Sequence, residues 1–85
     1  MNELDEQIQE AIDILKSFEE DTTVPKNVKG KIGRIIGILN EKAESSMKVH
    51  KALHELEEIG EDTNIEPYTR TQLWNIVSLL EKVNS

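Results

Sequence analysis

Ten Lys or Arg against seventeen Asp or Glu give this 85-residue chain a formal net charge of −7. A chain of that size buries only about 60% of its unfolded surface, which leaves little room for a deep catalytic pocket. The absence of cysteine excludes disulfides, thiolate metal ligands and thiol nucleophiles. The acidic balance disfavours wholesale attraction to nucleic acid or anionic lipid, although a local basic patch can escape the average. The run Met1-Asn2-Glu3-Leu4-Asp5-Glu6 is acidic where an export signal is basic, and no apolar run approaches the about 18 residues of a membrane span. A cytoplasmic location without membrane contact is therefore expected.

Leu4, Ile8, Ala11, Ile12, Leu15 and Phe18 recur at three- and four-residue steps, which predicts a first amphipathic helix over 3–20. Asp21-Thr22-Thr23-Val24-Pro25 supplies a stop, a cap and a restart, and a second helix is expected over 25–40 with Val28, Ile32, Ile35, Ile36 and Leu39 on its apolar face. The polar run 40–46 predicts a turn before a third helix, 46–60, which presents Val49, Ala52, Leu53, Leu56 and Ile59 and stops near Gly60. A fourth helix beyond Pro67 carries Leu73, Ile76, Val77, Leu80 and Val83. Charge alternates along the way: net −7 over 1–23, +4 over 24–42 and −4 over 43–65.

An offset of 41 residues superimposes the halves, placing Ala11 on Ala52, Leu15 on Leu56, Phe18 on Ile59, Glu20-Asp21-Thr22 on Glu61-Asp62-Thr63, and Ile35 on Ile76. The expected fold is all-α: a single domain over 1–85, made of two repeated antiparallel hairpins (3–40 and 46–83) with a HEAT-like period of about 41 residues. Arrays need about three repeats to bury a continuous core, so two hairpins are expected to close into a four-helix bundle.

The run Glu20-Asp21-Thr22-Thr23-Val24-Pro25-Lys26-Asn27-Val28, with Asp62, Asn64, Ile65, Arg70, Thr71 and Trp74, resembles the archaeal uncharacterised protein family 0147. The resemblance covers most of the chain. It implies a small all-helical archaeal protein of the cytoplasm and brings no catalytic residue with it. Two departures from the family pattern stand out: proline at 67 rather than one residue earlier, and glycines in the second helix where alanine is commoner.

Four sets of residues are candidates for function. Gly30, Gly33 and Gly37 fall on one stripe of the second helix, each at a cost of about 1 kcal/mol relative to alanine. Such a seam suits either a central helix packed within the chain or a contact with another subunit. Lys26, Lys29, Lys31 and Arg34 beside it are possible phosphate contacts, against the simpler expectation that they face the acidic first helix. His50 and His54, four residues apart with Glu57 and Glu61 on the same flank, have a spacing that could share a metal ion, although surface histidines at this spacing are common by chance. Glu20-Asp21 and Glu61-Asp62 are duplicated carboxylate pairs that could hold a hard cation; capping of the following helices is the better account.

Trp74, Leu79 and Tyr68 widen the apolar coverage of the last helix, and Trp74 is either a core residue or an interface anchor. No nucleotide loop, nucleophile constellation or cofactor fingerprint is present, so no cofactor is expected. The chain reads as a non-enzymatic protein-interaction module that pairs with itself, as a homo-oligomer, or with a protein partner. Nucleic-acid association through the second helix and a minor His/Glu metal site are the alternatives.

Overall fold

The computed structural model describes residues 3–62 and 65–84, with side chains described for 5–62 and 65–82. Each predicted apolar stripe becomes a helix: α1 (Glu3–Glu19), α2 (Lys26–Leu39), α3 (Ser45–Gly60) and α4 (Pro67–Asn84). Leu4 and Val83 lie in helices but their side chains fall outside the described residues, as do Thr63 and Asn64 altogether. Among the described residues there is no strand.

Short loops make sequence neighbours antiparallel. α1 packs on α2, α2 on α3, α3 on α4, and α4 returns to α1, so the four helices close into a bundle. One diagonal is tighter than the other: α1 also approaches α3, whereas the backbones of α2 and α4 stay farther apart. Two small core residues suit this approach. Ala11 and Ala52 are both completely buried and lie near the middle of α1 and α3. A methyl at each position lets two helices come closer than leucines would allow.

Around that diagonal Leu15, Ile32, Ile35, Leu56, Leu73, Ile76 and Leu80 form the core. Burial follows the 41-residue offset at Leu15 and Leu56, Phe18 and Ile59, Val24 and Ile65, Ile35 and Ile76, and Leu39 and Leu80, whereas Ile12 is buried and Leu53 only half so. Val24 and Ile65 plug the loops before α2 and α4 into the core, which places both loops at the same end of the bundle.

The helix starts differ from the capping expected. Glu20 and Asp21 follow the end of α1, and the N-cap of α2 is Pro25, which has no side-chain oxygen to offer. Asp21 instead accepts bonds from the Thr23 amide (2.9 Å) and hydroxyl (2.7 Å), closing a local turn. Those bonds, the hydroxyl's first, hold the Asp21 carboxyl below its ordinary pKa, with Lys29 adding a smaller attraction. Glu61 and Asp62 likewise follow the end of α3, and Asp62 Oδ2 lies 3.5 Å from Asn27 Nδ2 at the start of α2. The duplicated carboxylates thus shape loops. They do not cap helices, because α2 begins only after Val24 and α4 only after Ile65, each of which is buried in the core.

Candidate functional site

α4 differs chemically from the other helices. Between Pro67 and Leu80 it carries one charged residue, Arg70, in a chain that is 32% Asp, Glu, Lys and Arg. Thr69, Leu73, Ile76, Val77 and Leu80 turn into the core. At about 100° per residue, Trp74 and Tyr68 then fall on the two flanks of this stripe, and they are 48% and 67% exposed. Thr71, Asn75 and Ser78 fill the exposed strip between them. From Thr71 to Ser78 the outer face of α4 is therefore polar and uncharged, bracketed by two aromatic rings, and exposed Lys82 follows one turn beyond on the same strip. Leu79, on the Tyr68 side, is half-buried and packs on the core.

Arg70 is turned away from that face. Its guanidinium donates to the carbonyl oxygens of Gly60 (3.2 Å) and Asp62 (2.7 Å), where α3 ends. Helix C-termini leave carbonyls without intrahelical donors and carry partial negative charge, so a cation there satisfies both. One turn further along α4, Trp74 lies over the same helix end: a Cβ on Gly60 would stand 3.5 Å from Cζ2 and 3.7 Å from Cη2 of the indole. Trp74 is thus anchored along one edge and open to solvent elsewhere. Met47, at the start of α3, is the third large apolar side chain with high exposure, and no signal in the sequence singled it out.

The glycine stripe of α2 lies on a different side of the molecule, since α2 and α4 occupy opposite corners. A Cβ at Gly30 or Gly37 would meet nothing within 4 Å, and one at Gly33 would approach only the flexible Glu19 carboxylate, at 3.3 Å. The stripe does not pack inside the chain. Gly30→Ala and Gly37→Ala should each raise stability by about 0.5–1 kcal/mol in chemical denaturation, because alanine recovers helix propensity and clashes with nothing.

Two bases of α2, Arg34 and Lys29, find acidic neighbours among the described residues, and these lie outside α1. Arg34 Nε lies 3.4 Å from Glu55 of α3, beside an open groove of ≈ 580 Å³ that Gly37, Lys51 and His54 also line. Lys29 is close enough to Asp21 to be felt electrostatically, while Lys26 and Lys31 are exposed. His54 pairs with Glu58 (3.6 Å), and His50 lies one turn away, facing Glu57 and Glu81 across a shallow depression. No three His, Asp or Glu side chains among the described residues come together in a way that could hold a metal ion. No helix among the described residues is long and apolar enough to cross a membrane.

Comparison with known proteins gives a consistent result. The pattern of the uncharacterised protein family UPF0147 matches residues 1–83. A UPF0147 protein of the archaeon Methanosarcina mazei is 32% identical over 83 residues, covering 96% of this chain and 89% of its own. The crystal structure of a UPF0147 protein from Thermoplasma acidophilum superimposes with a TM-score of 0.88 at 27% identity, over 96% of this chain and 99% of that one. A second crystal structure, of the protein of unknown function MMP1188, gives 0.83 at 37% identity, over 88% and 86%. The chain belongs to the uncharacterised protein family UPF0147.

Proposed function

We propose that this protein is a non-enzymatic interaction module of the cytoplasm, and that its contact surface is the outer face of α4. The observation that carries the reading is the composition of that face. Interface centres are depleted in charge and enriched in aromatic residues relative to the rest of a protein surface. Thr71, Asn75 and Ser78 between Tyr68 and Trp74 fit that description, and the Arg70 guanidinium is engaged by the α3 carbonyls. Buried anchors at interfaces are often tryptophans that are already partly held before binding, which lowers the entropy lost on docking. Trp74, resting on Gly60, is such a side chain.

The test is a tagged pull-down from the lysate of an archaeon carrying a family member, with and without nuclease, using the wild-type chain and a Tyr68→Ala/Trp74→Ala bait. The expected result is a stoichiometric protein, a second copy or another chain, that survives nuclease and is lost from the variant. Equal capture by both baits overturns the assignment of the surface. Capture that disappears with nuclease overturns the protein-partner reading in favour of Lys26, Lys29, Lys31 and Arg34. Loss of folding does not confuse the result: half-exposed Trp74 should cost about 1–2 kcal/mol on truncation, below the ~3–5 kcal/mol of a buried aromatic.

A further inference from the structure

We propose that the α4 face receives a basic amphipathic helix of another protein, whose apolar stripe covers Trp74 and Tyr68 while its Lys or Arg side chains meet carboxylates on either bank. This rests on the reading of α4 as a contact surface and names the chemistry of its partner. The charges around the face are sorted by side. On α3, exposed Glu57 shares a shallow depression with Glu81 of α4 over half-buried Leu53, whereas Lys48 and Lys51 line hollows that α1 and α2 share. On α1, Glu19 stands beside Gly33 and so marks the side that faces α2. At about 100° per residue Glu10 lies on the opposite side, towards α4, and Lys16, the one base of α1, lies on the side of Glu19.

The two bases of α4 do not offset this balance. Arg70 is held by the carbonyl oxygens of Gly60 and Asp62, and Lys82, one turn beyond the uncharged strip, is already engaged within the chain. The end of α3 exerts the strongest pull. Glu57 and Glu58 lie in its last turn with no base among them, and Glu61 and Asp62 follow. Acids at the negative end of a helix repel its terminal carbonyls, and a cation brought from outside relieves that repulsion. It arrives beside half-exposed Trp74, whose indole lies over Gly60, and a guanidinium or ammonium stacked on an indole gains a further attraction. An uncharged aromatic centre between acidic banks complements the apolar stripe and basic flanks of such a helix. A second copy, at −7, brings chiefly the sign already present.

Two synthetic helical peptides of about 15 residues, both without tryptophan, test the proposal. One carries leucines on a single stripe with Arg and Lys elsewhere, and the other has Glu in place of every base. Trp74 is the sole tryptophan of the protein, so its emission reads binding at the proposed place. The basic peptide should bind with a micromolar Kd that weakens as salt rises, and the acidic one should not bind. Glu57→Gln/Glu61→Gln should weaken binding about three- to tenfold, as the loss of two exposed ion pairs allows. Glu19→Gln/Glu41→Gln removes the same charge on the α2 side and should change the Kd by less than about twofold. Trp74→Ala, read by calorimetry, should weaken binding at least about tenfold. Circular dichroism verifies that these exposed substitutions leave the helices intact.

Equal binding of the two peptides, or equal weakening by the two pairs of Gln substitutions, overturns the proposal, because the face then distinguishes neither sign nor place. If neither peptide binds, yet a captured protein is lost from the Tyr68→Ala/Trp74→Ala bait, the basic partner fails and the contact surface stands. If sedimentation velocity shows a dimer that Trp74→Ala dissolves, a second copy covers the face and the basic partner fails again. Binding of the basic peptide that Trp74→Ala leaves untouched overturns both the partner's chemistry and the use of the α4 face.

Discussion

Arg70→Met should lower stability by about 1.5–3 kcal/mol in a urea titration, the range for hydrogen bonds to a charged group. Methionine keeps most of the aliphatic stem, so the loss reports the guanidinium alone. Two carbonyls at the end of α3, those of Gly60 and Asp62, would lose their donor together. Arg70→Lys should recover only part of the loss, since one ammonium cannot span both oxygens with the fixed fork of a guanidinium. Equal stability of the lysine variant and the wild type would show that charge near the helix end suffices. Trp74 is the sole tryptophan and lies on Gly60, so its emission should report loosening of this junction directly.

Enlarging the tight diagonal is the second large effect. Ala11→Leu and Ala52→Leu should each cost about 1–3 kcal/mol, because added methylenes in a filled core force helices apart or side chains off their rotamers. Both alanines are completely buried on the two helices that approach across the bundle. The double variant should cost less than the two single losses combined, since once one leucine has separated α1 from α3 the second meets a wider gap. Thermal unfolding of the four species closes the cycle, and a coupling beyond about 0.5 kcal/mol exceeds what independent sites show. Strict additivity would mean that the alanines sit in separate pockets.

The helices were legible because their apolar residues repeat every three or four positions without interruption: α1 was expected over 3–20 and spans Glu3–Glu19, and α3 was expected over 46–60 and spans Ser45–Gly60. Closure into a bundle followed from the number of stripes and the brevity of the loops. Asp21 illustrates where local reasoning stops. Asp-Thr before a helix suggests a cap, yet Val24 must first be seated in the core, and the aspartate is left closing a turn upstream. Arg70 belongs to a family pattern that gives it no role. Its partners, eight and ten residues earlier, become neighbours only when α4 folds back along α3. Whether Trp74 was core or surface depended on one helix's rotation, which the sequence left open between the stripe and its flank.

The order in which the helices meet has a kinetic consequence. Three of the four sides of the bundle join sequence neighbours across loops of a few residues, and only the α4–α1 side and the α1–α3 diagonal bring distant segments together. Little loop entropy has to be surrendered before native contacts begin to reward it, so folding should fall in the microsecond-to-millisecond range of helical bundles. Docking of α1 is then the step with the longest reach.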